Sequence, residues 1–201
     1  MKSAKKTILF GGTFNPIHNG HLSLCENALR LLNADHCLLI PSFVPPHKPD
    51  TGLVDASHRL AMCRLAIADK PCFSICELEL RRGGLSYTID TVRALKQQTG
   101  GELINLCGAD MFITLPQWRQ YTELLSLTAF AGAPRNGICI DEMNQIAEKI
   151  RADGGIATVL DIPLPDISST MLRNRIKKGE SVSAFMPPSV EKYSFENGLY
   201  G

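Results

Sequence analysis

Two histidines near the start of the chain have the spacing of a phosphate-binding pair. They lie in the segment Gly11-Gly12-Thr13-Phe14-Asn15-Pro16-Ile17-His18-Asn19-Gly20-His21, directly after a short apolar run. If a helix begins here, positions i and i+3 share a face, so His18 and His21 can address one phosphate group. Glycines at a strand end let a ligand approach the backbone closely, and the unpaired N–H groups at a helix N-terminus can bind phosphate. We expect Gly20 to remove a side chain that would crowd the ligand.

The same loop excludes two common nucleotide-binding motifs. A dinucleotide fingerprint needs G-x-G-x-x-G and a P-loop ends in Gly-Lys-Ser/Thr, and the residues after Gly12 match neither pattern. The sequence therefore supports neither a dehydrogenase nor a kinase. The other interpretation of the histidines is a helix-capping turn with both side chains on the surface.

A second group of phosphate-type ligands lies near the other end of the chain. Ser168-Ser169-Thr170, followed by Arg173, opens a helical pattern in which Ser168 is the expected N-cap. Leu172 would face the core, which leaves the hydroxyls and the arginine at the positive end of the helix. We predict a second phosphate clamp here, and the alternative is a well-capped helix with a solvated arginine.

These segments belong to an alternation of strand-like and helix-like stretches. Short apolar runs predict six strands, at 7–10, 37–40, 73–80, 103–107, 127–131 and 158–161. Between them, the pattern predicts a helix ending at Asn33, one from Asp55 to about Ala68, and one that starts near Thr88 and stops at Gly100. The sequence thus predicts an α/β fold with a Rossmann-like, doubly wound parallel sheet that binds ligands at the carboxyl ends of its strands. The proline-rich stretch 41–51 is predicted to be a lid or binding loop.

Composition narrows the class of protein. With 201 residues, 44% of them hydrophobic, and a formal net charge of +1, we expect one domain, 1–201, with a buried core and no nucleic-acid polymer as partner. No apolar run is long enough for an export signal or a membrane span. Seven scattered cysteines without a C-x-x-C pair favour the cytoplasm and disfavour zinc. The sequence does not decide between a monomer and a homo-oligomer.

The pairing of H-x-G-H with I-S-S-T-x-x-R resembles the signature of the nucleotidylyltransferase superfamily. Along nearly its whole length the chain resembles the bacterial nicotinate-mononucleotide adenylyltransferases. The matching segments are Pro45-Pro46-His47-Lys48, Ser86-Tyr87-Thr88-Ile89-Asp90-Thr91, Gly108-Ala109-Asp110, Leu115-Pro116-Gln117-Trp118, the stretch from Met186-Pro187-Pro188 to Tyr193, and Leu199-Tyr200. The resemblance implies a nucleotidylyltransferase that passes an adenylyl group from ATP to nicotinate mononucleotide in NAD biosynthesis.

The resemblance also implies roles for individual residues. His18, His21 and Arg173 would be catalytic. ATP would be bound by Gly11, Gly12, Thr13, His18, His21, Gly108, Asp110, Ser168, Ser169, Thr170 and Arg173, with Asp110 on the adenosine ribose. The mononucleotide would be bound by Thr13, Phe14, Asn15, Lys48, Tyr87, Thr88 and Trp118, with the Tyr87-Thr88 backbone on the nicotinate carboxylate and Trp118 stacked on its ring. The alternatives are a core tryptophan, a half-buried Tyr87 at a strand end and a solvated lysine.

Two positions depart from the family pattern. Asn15 stands where many bacterial members carry aspartate, so the sequence leaves open how strongly the acid nucleotide is preferred to its amide. After the fifth strand, the family usually has an arginine directly before Pro-Gly. This chain has Ala133-Pro134-Arg135-Asn136-Gly137 instead, so Arg135 has no assigned role.

The expected chemistry needs a metal ion only on the nucleotide. Mg²⁺ should bridge the ATP phosphates and keep much of its water, because no carboxylate cluster could cage it, so we predict no protein metal ligand. The rival hypotheses are an enzyme with another acceptor, such as phosphopantetheine or glycerol phosphate, and a nucleotide sensor without turnover. The segment 86–91 and Trp118 favour the pyridine acceptor, and the intact clamps favour an enzyme.

Overall fold

A computed structural model describes residues 5–45, 52–135 and 137–201. The strands are β1 (Lys6–Gly12), β2 (His36–Pro41), β3 (Phe73–Ile75), β4 (Glu102–Gly108), β5 (Ala129–Ala133) and β6 (Ala157–Val159). The helices are α1 (Asn19–Leu31), α2 (Ala56–Ala66), α3 (Leu78–Arg82), α4 (Thr88–Thr99), α5 (Ala109–Phe112), α6 (Tyr121–Leu127), α7 (Ile140–Ala152), α8 (Ser169–Lys177) and α9 (Pro188–Glu196), with a 3-10 turn at Leu115–Gln117.

The strands form one parallel sheet in the order β3-β2-β1-β4-β5-β6, which confirms the predicted doubly wound α/β fold. Strand β1 lies at the centre, with Ile8 opposite Cys37 of β2 and Ile104 of β4. All strand pairs of the described sheet run parallel, and helices cover both of its faces. Because the strands are buried on both faces, their sequences are apolar runs rather than alternations of apolar and polar residues.

Two hydrophobic clusters lie on opposite faces of the sheet. Helices α1, α2, α8 and α9 pack over one face, around Ile8 and Phe10. Helices α4 to α7 pack over the other face, around Leu9 and Phe112. Because alternate residues of a strand point to opposite faces, the neighbours Ile8 and Leu9 serve different clusters.

The predicted helix ends are confirmed. Asn33 has φ 47° and ends α1 in the left-handed conformation. The Asp55 carboxylate accepts from the Ser57 N–H at the start of α2, which ends at Ala66. Gly100 has φ 58° after α4, and the Ser168 hydroxyl accepts from the Met171 N–H at the start of α8.

The third predicted strand, 73–80, is wrong in its second half. Strand β3 stops at Ile75, and α3 follows from Leu78. The alternation Glu-Leu-Glu-Leu has the period of a strand, but leucine, glutamate and arginine have high helix propensity. Strand β5 also begins at Ala129, two residues later than predicted, because α6 extends to Leu127. Most of the predicted lid, 46–51, lies outside the described residues.

Candidate active site

A cavity of about 760 Å³ opens at the carboxyl ends of β1 and β4, where the strand order reverses. Open α/β sheets bind their ligands at this point of the topology. Among its lining residues are Gly11, Gly12, Thr13, Phe14, Asn15, His18, His21, Tyr87, Thr88, Gly108, Asp110, Trp118, Ser168, Ser169, Thr170 and Arg173. The structure therefore brings together all the predicted site residues except Lys48, which lies outside the described residues.

The two histidines stack on each other at the start of α1. Their ring centroids are 3.6 Å apart and their planes differ by 22°. The His18 backbone N–H donates to Nδ1 of His21 over 3.3 Å, so neutral His21 carries its proton on Nε2. His18 is completely buried, and the interpretation of this pair as two surface histidines is therefore wrong.

His18 is a buried polar side chain whose two ring nitrogens find no hydrogen-bond partner in the described part of the chain. An unpaired buried imidazole costs free energy, and native structures keep such groups mainly where they serve function. Burial, and after it the positive charge of Arg135, lower the pKa of His18 to about 3. His18 is therefore neutral at physiological pH and can donate one N–H.

Gly20 makes room for the histidine rather than for the ligand. A Cβ at this position would lie 3.1 Å from Nδ1 of His18 and 3.2 Å from its Cε1. The expectation that a side chain here would crowd the ligand directly is corrected: it would first displace the stacked imidazole. Gly108 has a similar effect at the end of β4, since a Cβ there would lie 2.9 Å from Oδ1 of Asp110.

The first turn of α8 is bonded directly to the loop after β1. The Ser169 hydroxyl donates to the Pro16 carbonyl over 2.9 Å. Nη1 of Arg173 donates to the Asn15 carbonyl over 2.8 Å, and Nη2 donates to the Thr170 hydroxyl over 3.2 Å. Two segments more than 150 residues apart in sequence thus form one surface, as their pairing predicted.

The opposite side of the cavity is formed by the start of α4 and the 3-10 turn before α6. Tyr87 is the N-cap of α4 but supplies no side-chain cap, so the first-turn N–H groups receive no bond from it. Half-buried Trp118 packs on the second hydrophobic cluster and also lines the cavity, with its Nε1–H donating to the Thr114 hydroxyl over 3.3 Å. Trp118 is therefore not a purely internal aromatic residue.

Asn15 uses both ends of its buried side-chain amide on a neighbouring loop. Its Nδ2 donates to the Gly52 carbonyl over 2.9 Å, and its Oδ1 accepts from the Val54 N–H over 3.3 Å. An aspartate could not donate to the Gly52 carbonyl. The amide at this position is thus matched to its protein neighbours.

Four charged residues in or beside the cavity were given no role from the sequence: Arg59, Glu79, Arg119 and Arg135. Arg135 lines the cavity and acts on His18 electrostatically. Arg59 is buried behind the loops after β1 and β2. Its i, i+3 spacing from the buried Met62 is the signal that could have identified it as a core position. Glu79 lines the cavity from α3, the segment wrongly predicted as a strand.

The described residues offer no metal cage. Across 5–45, 52–135 and 137–201, no group of three or more histidine, cysteine, aspartate or glutamate side chains could hold a metal ion. All seven cysteines have free thiols. None of the helices in these ranges has the length and hydrophobicity needed to cross a membrane.

A parallel sheet in this order, with helix N-termini and unpaired polar groups around the crevice at its switch point, defines the class of nucleotide-binding α/β proteins. A family model described as cytidylyltransferase-like matches residues 9–175. The chain belongs to this family and, within it, to the nicotinate-nucleotide adenylyltransferases.

Its relatives support both levels of this assignment. The probable nicotinate-nucleotide adenylyltransferase of Synechococcus sp. (strain JA-3-3Ab) is 43% identical over 96% of this chain and 93% of the relative. The nicotinate-nucleotide adenylyltransferase of Bacillus subtilis (strain 168) is 38% identical over 98% of both chains. The Plasmodium falciparum nicotinic acid mononucleotide adenylyltransferase complexed with NaAD has a TM-score of 0.79 at 20% identity, covering 98% of this chain and 97% of that one, which bears on the fold alone.

Proposed function

We propose that this chain transfers the adenylyl group of ATP to nicotinate mononucleotide, giving nicotinate adenine dinucleotide and pyrophosphate. The observation that carries the proposal is the buried, unpaired imidazole of His18, which lines the cavity together with Ser169, Thr170 and Arg173 of α8. The relatives named above have this activity in their names. We further propose that residues 1–201 act as one domain in the cytoplasm, as the sequence predicted.

The ATP phosphates would lie between the histidines and α8. In this arrangement His18 and His21 donate N–H groups, while Arg173 and the N-terminus of α8 add positive charge. The remaining nucleotide ligands would be Gly11, Gly12, Thr13, Ser168, Ser169 and Thr170 around the phosphates, with Gly108 and Asp110 beside the adenosine ribose. Arg135 adds a cation near His18, on the same side of the cavity.

The pyridine nucleotide would occupy the side formed by α4 and Trp118. Of the two N–H groups predicted to read the carboxylate, that of Tyr87 donates to the Leu85 carbonyl over 3.2 Å, so Thr88 would supply the donor. The position suits a carboxylate because a helix N-terminus carries partial positive charge. Trp118 would stack on the ring, and the loop Thr13, Phe14 and Asn15 would border the phosphate. Lys48 stays a prediction, since it lies outside the described residues.

The reaction follows from this placement. An oxygen of the acceptor phosphate attacks the α-phosphorus of ATP in line, the bond to the pyrophosphate oxygen breaks, and no covalent enzyme intermediate forms. The acceptor phosphate is already ionised at neutral pH, so the protein contributes alignment and stabilisation of charge rather than a general base. Mg²⁺ would enter as part of the Mg·ATP substrate and keep much of its water.

The first test is pyrophosphate release from Mg·ATP with nicotinate mononucleotide, nicotinamide mononucleotide or phosphopantetheine supplied in parallel. We expect the fastest release with nicotinate mononucleotide. Comparable rates with nicotinamide mononucleotide would show that the enzyme does not prefer the acid. Faster release with phosphopantetheine would show that the acceptor is not a pyridine nucleotide. Silence with all three would favour a nucleotide sensor without turnover.

The second test replaces one proposed phosphate donor. His21→Ala should lower kcat by about a hundredfold, the usual effect of losing one transition-state donor. His36→Ala is the matched control, because His36 lies at the amino end of β2 and bonds to Ser74, away from the cavity. Near-normal turnover in a folded His21→Ala protein would contradict the role.

A further inference from the structure

Glu79 is a buried carboxylate in the wall of the cavity that the reaction described above does not use. Its relative exposure is 6%, and it lies on α3 beside the start of α4. The Thr91 hydroxyl donates to its Oε1 over 2.7 Å, and the Ser86 hydroxyl is its second hydrogen-bond partner. A buried carboxylate is costly unless such donors surround it.

The neighbours of the two hydroxyls fix the direction of these bonds. The Ser86 oxygen accepts from the Phe43 N–H over 2.9 Å, and the Thr91 oxygen accepts from Nη2 of Arg82 over 3.3 Å. Neither of those donors can accept a bond in return, so both hydroxyl protons are available to Glu79. Bonds of this kind to an ionised oxygen are stronger than neutral ones.

The two hydroxyls lie on either side of the helix start. Ser86 comes just before the N-cap Tyr87, and Thr91 is in the first turn of α4. A single carboxylate therefore holds both the residue that leads into the helix and the helix itself.

We propose that Glu79 is the positioning residue of the acceptor pocket: by holding Ser86 and Thr91 it aims the N–H group of Thr88 toward the carboxylate of the pyridine nucleotide, while the neighbouring Tyr87 N–H donates to the Leu85 carbonyl over 3.2 Å. This inference rests on the proposed function. It predicts that Glu79 acts on the affinity for the acceptor, and on the choice between acid and amide, without acting on ATP.

Three variants test the inference. Glu79→Ala should raise KM for nicotinate mononucleotide about tenfold, the effect of losing one bond to a charged group, while KM for ATP stays within about twofold. Glu79→Gln keeps an acceptor oxygen and should fall between this variant and the wild type. Thr91→Val removes one hydroxyl at constant shape and should raise the same KM severalfold. Thr99→Val, at the other end of α4, is the matched control because its hydroxyl bonds only to the Leu95 carbonyl.

Trp118 provides a readout that is independent of turnover. It is the only tryptophan in the sequence and it lines the cavity, so quenching of its fluorescence measures acceptor binding without ATP. The ratio of acid to amide affinity should fall in Glu79→Ala and Thr91→Val. A merely structural role would lower both affinities together.

The outcomes separate the two proposals. If the wild type adenylylates no pyridine nucleotide, the proposed function fails. If the wild type is active and Thr91→Val and Glu79→Ala keep the wild-type KM and the wild-type acid-to-amide ratio, only the positioning role fails. A parallel rise of KM for ATP and for the acceptor also overturns it. If Glu79→Ala does not fold, Thr91→Val decides the question alone.

Discussion

At the scale of single residues, the burial of His18 links function to stability. An imidazole with two unpaired nitrogens lowers the stability of the free protein, and a ligand that accepts from it recovers that loss. Because His18 is neutral, it can stabilise charge on a phosphate without titrating during the reaction. Active sites often keep such unfavourable groups because binding uses them.

The depressed pKa of His18 predicts how stability changes with pH. In the unfolded chain this histidine takes up a proton below about pH 6.5, whereas burial and Arg135 lower its pKa to about 3 in the folded state. The contribution of neutral His18 to the free energy of unfolding is therefore fully present above pH 6.5. Below that pH it is lost by about 1.4 kcal/mol for each pH unit. Urea unfolding at pH 7.5 and 4.5 should show a loss about 2 to 3 kcal/mol larger in the wild type than in His18→Gln. Equal losses would contradict the buried, neutral state.

The sequence predicted residues that line the cavity better than the residues that hold them in place. His18, His21, Ser169 and Arg173 were singled out because residues of these types, at fixed local spacings, can bind phosphate. Glu79, Arg59 and Arg135 carry no local signal of that kind. Glu79 and Arg59 depend on residues that are distant in the sequence. Thr91, which donates to Glu79, is 12 residues away, and Thr13, which accepts from Arg59, is 46 residues away.

At the scale of the elements, α2 acts as a support for the cavity although it lines none of it. Its buried Arg59 donates to the carbonyls of Thr13, Ser42, Phe43 and Val54 over 2.7 to 3.1 Å. These carbonyls belong to the loop after β1, the loop after β2 and the entry to α2. One guanidinium thus ties three segments together, which its planar fork of donors allows.

A change of this side chain should loosen all three segments. Arg59→Lys keeps the charge but cannot reach three separate carbonyl positions, so we expect a loss of about 3 kcal/mol in the free energy of unfolding and a higher KM for the acceptor. Arg64→Lys is the matched control on the same helix, since Arg64 makes an exposed ion pair with Glu77 that contributes little. Denaturant unfolding of both variants measures the difference, and equal stabilities would show that the four carbonyl bonds are dispensable.

The element boundaries show where sequence patterns stop being informative. Caps are local, so Asn33, Asp55 and Gly100 marked helix ends correctly. Among the described strands, β3 pairs only with β2, over three residues that end at Ile75. The apolar residues after Ile75 extended the predicted strand, but Leu78–Arg82 form α3.

At the scale of the whole molecule, the cavity lies between the two hydrophobic clusters. The first cluster supports α1 and α8, which form the proposed ATP side, and the second supports α4 and Trp118, which form the proposed acceptor side. The central strands β1 and β4 run between them. A ligand that fills both sides should therefore hold the two faces of the sheet together.

This arrangement predicts that the dinucleotide product stabilises the protein more than either substrate alone. A ligand at a hundred times its Kd adds about 2.7 kcal/mol to the free energy of unfolding. For a chain of this size that corresponds to a rise in Tm of roughly 5 to 10 °C. Thermal unfolding with nicotinate adenine dinucleotide, a non-hydrolysable ATP analogue or nicotinate mononucleotide, each at the same concentration, measures the order. The product should give the largest shift because it contacts both sides, whereas a shift no larger than that of the ATP analogue would mean that the two sides of the cavity bind independently.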